Sequence, residues 1–145
     1  MCFKKGIKLK MELLEGKEVA ENLQKNFIER IEKIKKEKNI IPKLAVLGIS
    51  GDRASEIYIK KIEKNCIKYG IEFILKMAST QEEFKENFEQ IKKDRTVTSI
   101  MFQEPLPKNI ANLINEIPAK QDVEGIGIQN MGKLMLDKKD ALIPC

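Results

Sequence analysis

Four stretches of this sequence hold residue types that could bind or act on a small ligand. The first is Q-E-P-L-P at 103–107. A glutamine at the C-terminal end of an apolar run sits where open α/β sheets bind their ligands, and two prolines then stiffen the rim. Alone, such a stretch also reads as a proline-rich loop. The second is D-V-E-G at 122–125, where the Asp122 and Glu124 carboxylates flank Val123. They could hold the polar edge of a ligand, although an acidic turn looks the same. The third is the set Tyr58, Ile62 and Cys66, spaced four apart and therefore on one helical face. It could present an aromatic ring to a ligand or simply be a core stripe. The fourth is K-L-A-V-L-G-I-S-G-D-R-A-S-E-I-Y at 43–58, a strand, a glycine turn and a helix start. Free N–H groups at such a turn can cradle phosphate. This one matches neither G-x-G-x-x-G nor the G-K-[ST] ending of a P-loop, so an ordinary βα turn is the better reading. Gly125, Gly127 and Gly132 also miss the dinucleotide spacing, with Asn130 in the third position.

The elements that must position these residues alternate. Val19, Leu23, Phe27, Ile31 and Ile34 predict a helix over 17–38 with one buried stripe. Pro42 forces the chain out of helix. Residues 43–49 form an apolar run of strand length, and 54–69 a second helix ended by Gly70. Residues 71–77 read as a strand. Ser79 or Thr80 caps a third helix that runs to about Asp94, within the usual ~2–4-residue boundary error. A strand follows at 98–103 and a short helix at 109–117. The rest is glycine-spaced and irregular, with room for one short helix. Strands alternating with helices predict a three-layer α/β/α domain with a mainly parallel sheet.

Composition narrows the chemistry. The 145 residues suit one domain, and 42% hydrophobic residues suit a globular one. Histidine is absent, which excludes the usual zinc sites and nucleophilic triads, and no metal site is expected. Three widely spaced cysteines, Cys2, Cys66 and Cys145, form no disulfide framework and point to a reducing compartment. No apolar run approaches the ~20 residues that span a bilayer, so no membrane partner is expected. Residues 1–10 are basic, lack the apolar core of a signal peptide and read as a loose extension before a domain at 11–145. The net charge of +5 suits solubility or an anionic partner. Its lysines are spread along the chain rather than clustered among aromatic platforms, which argues against nucleic acid.

Taken in order, the pieces resemble the bifunctional methylenetetrahydrofolate dehydrogenase/methenyltetrahydrofolate cyclohydrolase family. The resemblance runs through L-E-G-K-E-V-A (14–20), P-K-L-A-V-L (42–47), A-S-E-I-Y (54–58), Q-E-P-L-P, D-V-E-G, N-M-G-K-L (130–134) and a final I-P-C. Each motif is weak alone, and their shared order carries the match. The resemblance implies a folate-binding catalytic domain that stops before a second, Rossmann-type domain. In the family, the tyrosine corresponding to Tyr58 stacks on the folate rings, which an aromatic face suits. The glutamine corresponding to Gln103 hydrogen-bonds near the reacting one-carbon unit. Leu106 and Pro107 would wall the cleft. Glu124 stands where the family carries an aspartate that pairs with the pterin edge; it keeps the charge and adds one methylene.

Position 62 departs from the family. A catalytic lysine normally follows the tyrosine by four residues and assists water attack on the methenyl carbon, but here Ile62 occupies its place. An aliphatic side chain can neither take a proton nor donate a hydrogen bond. Lys61 is ~100° around the helix and a poor substitute. The resemblance therefore implies a dehydrogenase whose cyclohydrolase activity is lost, as in a monofunctional branch. NAD or NADP would serve the longer parent, with none bindable by this chain alone. Tetrahydrofolate would be the substrate, its polyglutamate tail suiting a basic surface. A cytoplasmic location and a homodimeric parent are also implied. The competing reading is a catalytically inert folate- or partner-binding fragment.

Overall fold

The computed structural model describes residues 15–144. The expected extension at 1–10, the domain start at 11–14, and both Cys2 and Cys145 lie outside the described residues. Helix α1 spans Gly16–Lys38, strand β1 Lys43–Ile49, α2 Arg53–Tyr69, β2 Glu72–Ala78, α3 Gln81–Lys93 and β3 Ser99–Phe102. A short α4 at Lys108–Ala111 runs into a 3-10 turn at Asn112–Glu116, and α5 covers Ile128–Met135. The single helix expected at 109–117 is thus two short pieces.

The three strands form one parallel sheet in the order β2-β1-β3, with Leu44 paired to Phe73 on one side and Ser99 on the other. Parallel neighbours need crossover helices, and right-handed crossovers that run in opposite directions along the sheet, β1 to β2 through α2 and β2 back past β1 to β3 through α3, put α2 and α3 on opposite faces. This is the α/β/α layering expected from the sequence.

The main core lies on the α3 side. Phe84 and Phe88 meet Phe102 edge-on, with ring centroids 5.1 and 4.9 Å away. Ala45, Leu47, Ile100 and Ile110 complete that cluster. Val46 is fully buried and, by strand alternation, points to the other face, where α2 buries Ile59 and Cys66. Local capping fixes the helix ends. The Asp52 carboxylate caps α2 at Ser55 N (2.7 Å), and Gly70 ends that helix at φ 67°. Thr80 caps α3, while Glu83 reaches back to Ser79 N.

Helix α1 corrects the sequence reading. Its stripe was expected to be buried, yet no residue of α1 is buried. Val19, Leu23, Phe27 and Ile34 are exposed, and Ile31 is half-buried. Its links to α2 are light: Lys68 donates to Gln24, and the Lys35 ammonium lies against Gly70. Helical periodicity reveals that a face is apolar, but whether something covers it depends on packing partners.

Candidate functional site

A central strand with neighbours joined in opposite directions creates a crevice at the carboxyl ends of the strands. Here β1 and β3 form it. The turn after β1 (Ile49, Ser50, Gly51, Asp52) faces the loop after β3 (Pro105, Leu106, Pro107) across an open cavity of about 380 Å³. Leu106 and Pro107, expected to wall a cleft, line it.

Gln103 follows β3 directly, its backbone N–H still paired to Leu47 O of β1 at 2.7 Å. Its side-chain Nε2 donates to the carbonyl of Glu104 at 2.7 Å and lies 3.5 Å from Ser55 Oγ. Its Oε1 is buried with no hydrogen-bond partner. A buried acceptor left unpaired costs stability, and among the described residues this is the buried side-chain oxygen that carries that cost.

Ser55 is the hub of this corner. It is buried in the first turn of α2, and its single Oγ proton lies between two acceptors, Asp52 Oδ2 at 2.5 Å and Glu104 O at 3.0 Å. The helix start and the loop after β3 are therefore tied together through one hydroxyl. The sequence reading did not single out Ser55; its signal was the D-x-x-S spacing from Asp52, which marks a cap. Ser55 holds the Asp52 carboxyl below its ordinary value by hydrogen bonding, first through its hydroxyl and then through its backbone N–H.

Gly48, also not singled out, makes room for Gln103. A Cβ at position 48 would lie 3.2 Å from Gln103 Cβ and 3.1 Å from the Met77 thioether. Tyr58 stands one turn beyond Ser55 and is 52% exposed, leaving its ring free to stack. Ile62 is half-buried a further turn along and Lys61 is exposed. Tyr58, Ile62 and Cys66 do not form one buried stripe. Burial instead follows Ser55, Ile59 and Cys66, about 40° around the helix from the expected line.

The acidic turn divides into two roles. Asp122 is buried, accepting from Gly125 N (3.0 Å), Gly127 N (2.9 Å) and Asn130 Nδ2 (2.9 Å). It faces the protein's own donors, as the acidic-turn reading of this stretch has it. Glu124 is only half-buried. Burial pushes its carboxyl above the ordinary value, and the negative charges of Asp122 and Glu104 add to that shift. It therefore lies within electrostatic reach of the loop that holds Gln103.

Neither glycine-bearing segment fits a dinucleotide. The N–H groups of Gly125 and Gly127 are spent on Asp122, and a carboxylate, Asp52, occupies the start of α2. Among the described residues no metal-holding group of His, Cys, Asp and Glu occurs, and no helix is long and apolar enough to cross a membrane.

Comparison with known proteins bears on the whole arrangement. The bifunctional protein FolD of Acetivibrio thermocellus is 36% identical over 142 residues, covering 94% of this chain and 49% of that protein. The FolD of Wolbachia pipientis wMel is 32% identical over 138 residues, covering 92% and 47%. The crystal structure of the Campylobacter jejuni FolD methylenetetrahydrofolate dehydrogenase/cyclohydrolase superposes with a TM-score of 0.84 at 29% identity, covering 94% of this chain and 50% of that one. A silkworm, Bombyx mori, 5,10-methylenetetrahydrofolate dehydrogenase shares the fold with a TM-score of 0.80 at 23% identity, covering 92% and 48%. The chain thus spans about half the length of the relatives it matches. The family profile described as "Tetrahydrofolate dehydrogenase/cyclohydrolase, catalytic domain" matches residues 14–124, a stretch that includes Ser55, Tyr58, Gln103 and Glu124. On that match, this chain belongs to the tetrahydrofolate dehydrogenase/cyclohydrolase family, through its catalytic domain.

Proposed function

We propose that the chain is the folate-binding part of a tetrahydrofolate one-carbon enzyme, an NAD- or NADP-dependent 5,10-methylenetetrahydrofolate dehydrogenase whose cyclohydrolase activity is lost. The observation that carries the folate reading is the unpartnered Gln103 Oε1 at the carboxyl end of β3, two residues before Pro105, which lines the crevice. A pterin or an aminobenzoyl amide offers N–H donors to such an oxygen and a flat face to Tyr58. Leu106 and Pro107 give the crevice an apolar wall, and Glu124 is the candidate partner for the polar pterin edge. The chain's own residues thus bind and orient the folate.

The loss of cyclohydrolase rests on Ile62. A hydrolytic step needs a group that positions or deprotonates water, and Ile62 cannot act as one. The other reading, a binding fragment without catalysis, is favoured by the two glycine segments that do not fit a dinucleotide. Hydride transfer requires the nicotinamide to be held by residues other than these two segments. A structural neighbour from Trypanosoma brucei is complexed with NADP and one from Saccharomyces cerevisiae is NAD-dependent, and the proposal holds for either nicotinamide.

Titration of the purified chain with tetrahydrofolate, followed by calorimetry, tests the reading. Saturable binding is expected. Tyr58→Phe should keep it, and Tyr58→Ala should weaken it about tenfold, since stacking contributes ~0.5–1.5 kcal/mol beyond buried area. The half-exposed ring should make both variants melt close to the unmodified chain. Absence of binding, or equal binding by Tyr58→Ala, would sink the proposal.

A further inference from the structure

Among the described residues, Asp122 and Asn130 are buried polar side chains far from any water-facing role, at 2% and 1% exposure. A carboxylate is rarely buried unless its oxygens are fully engaged. Here Oδ1 accepts from Gly125 N at 3.0 Å, and Oδ2 accepts from Gly127 N and Asn130 Nδ2, both at 2.9 Å. Asn130 in turn donates to Ala119 O at 2.9 Å, which ties α5 to the start of the same loop. The backbone at this point is docked on the sheet. Ile100 of β3 donates to Gln121 O at 2.7 Å, and Ile100 and Asp122 form an isolated parallel bridge.

The turn from 122 to 127 is closed tightly around that carboxylate. A Cβ at Gly127 would stand 3.0 Å from Asp122 Oδ2. Gly125 adopts φ 68°, and a Cβ there would meet Leu142 O at 2.7 Å, so the C-terminal segment packs directly on the turn. Glu124 lies inside this closed turn, flanked by exposed Val123 and the immobilised Gly125. Nothing in the hydrogen bonding found for Glu124's own side chain holds it in place. Its placement therefore comes from the backbone that carries it.

We propose that Asp122 is a positioning residue, whose buried carboxylate, gripped by Gly125, Gly127 and Asn130, holds Glu124 at the folate crevice. The inference rests on the folate reading above for what Glu124 meets, but not for the geometry of the turn. Both Asp122 oxygens are engaged by the protein's own donors. Asp122 acts through Glu124, so removing its charge disperses the turn and leaves Glu124 unplaced. Asn in its place would direct an amide toward N–H groups that need an acceptor, and at least one of them would lose its partner.

The test combines amide exchange with a double-mutant cycle. In Asp122→Asn, NMR-detected exchange at Gly125 and Gly127 is expected to accelerate, while Phe84 and Phe88 keep their protection. The tetrahydrofolate dissociation constant is expected to rise about tenfold, the scale of one charge-assisted hydrogen bond. Glu124→Ala should show a similar rise, and Asp122→Asn added to Glu124→Ala should cost nothing more. A general structural role predicts the opposite, a penalty that persists in the Glu124→Ala background. That result, or unchanged exchange at both glycines, overturns the proposal. If Asp122→Asn fails to fold, Gly127→Ala crowds the same carboxylate and must reproduce the exchange and binding changes, or the proposal fails. If the unmodified chain binds no tetrahydrofolate, the functional reading falls, and the exchange data alone then decide for or against the pin.

Discussion

Gln103 Nε2 lies 3.5 Å from Ser55 Oγ, and both groups converge on the carbonyl of Glu104. One buried hydroxyl thus couples the end of β3 to the start of α2 and aims the glutamine whose Oε1 has no partner. Ser55→Ala removes that hub. It should lower stability by about 1 kcal/mol, the net value of a typical hydrogen bond. It should also weaken tetrahydrofolate binding several-fold by freeing the Gln103 amide. Chemical denaturation and calorimetric titration read the two effects separately. A fall in stability with unaltered binding would show that Gln103 needs no help from Ser55.

Ile62 lies seven residues after Ser55, nearly two full turns along the same side of α2 and about 10 Å away along its axis. Long helical side chains lean toward the N-terminus, which would carry a lysine at 62 back toward Gln103. Ile62→Lys is therefore expected to increase hydrolysis of methenyltetrahydrofolate by at least about tenfold, where a well-placed base contributes ~10²–10⁴. The reaction is followed by loss of near-ultraviolet absorbance. Lys61→Ala should change little, because Lys61 is exposed. Should Lys61→Ala instead abolish an existing hydrolysis, Lys61 is the working lysine and Ile62 is irrelevant.

Glu124 gives a pH signature of defined sign. Burial first, then Asp122 and Glu104, raise its carboxyl above the ordinary value in the folded chain. The protonated form is therefore favoured by folding. Its contribution is fully present below the unfolded-state value and is lost as pH rises through the folded-state value. Glu124→Gln mimics the protonated form. It should raise the melting temperature near pH 7 and leave it nearly unchanged at about pH 3.5, below the ordinary glutamate value of ~4.3. Equal stabilisation at both pH values would mean that charge is not the cause.

Gly48 offers a steric test of how Gln103 is set. The Met77 thioether can swing away from a new methyl group, but Gln103 Cβ, fixed at the end of its strand, cannot. Gly48→Ala is expected to cost about 1–3 kcal/mol, as overpacking usually does. It should also weaken tetrahydrofolate binding more than Met77→Leu, which leaves the glutamine alone. Denaturation midpoints and dissociation constants for the two variants decide the point.

The sequence alone settled the element order, because apolar periodicity, Pro42, Gly70 and the cap at Ser79 or Thr80 are local signals. Strand β1 at 43–49 and the end of α2 emerged as read, and the order of motifs identified the family. Gln103 could be placed at a strand end for the same local reason. Only the tertiary structure decided what each polar group faces. Asp122 and Glu124 are alike by sequence, yet the donors of Gly125, Gly127 and Asn130 internalise one and leave the other half-exposed. The periodic stripe of α1 predicted burial that the fold does not supply, since coverage depends on neighbours distant in the chain. Ser55 and Gly48 became visible as site residues only when parallel pairing brought β1 and β3 together, because their contacts with Gln103, 48 and 55 residues away, leave no trace in local pattern.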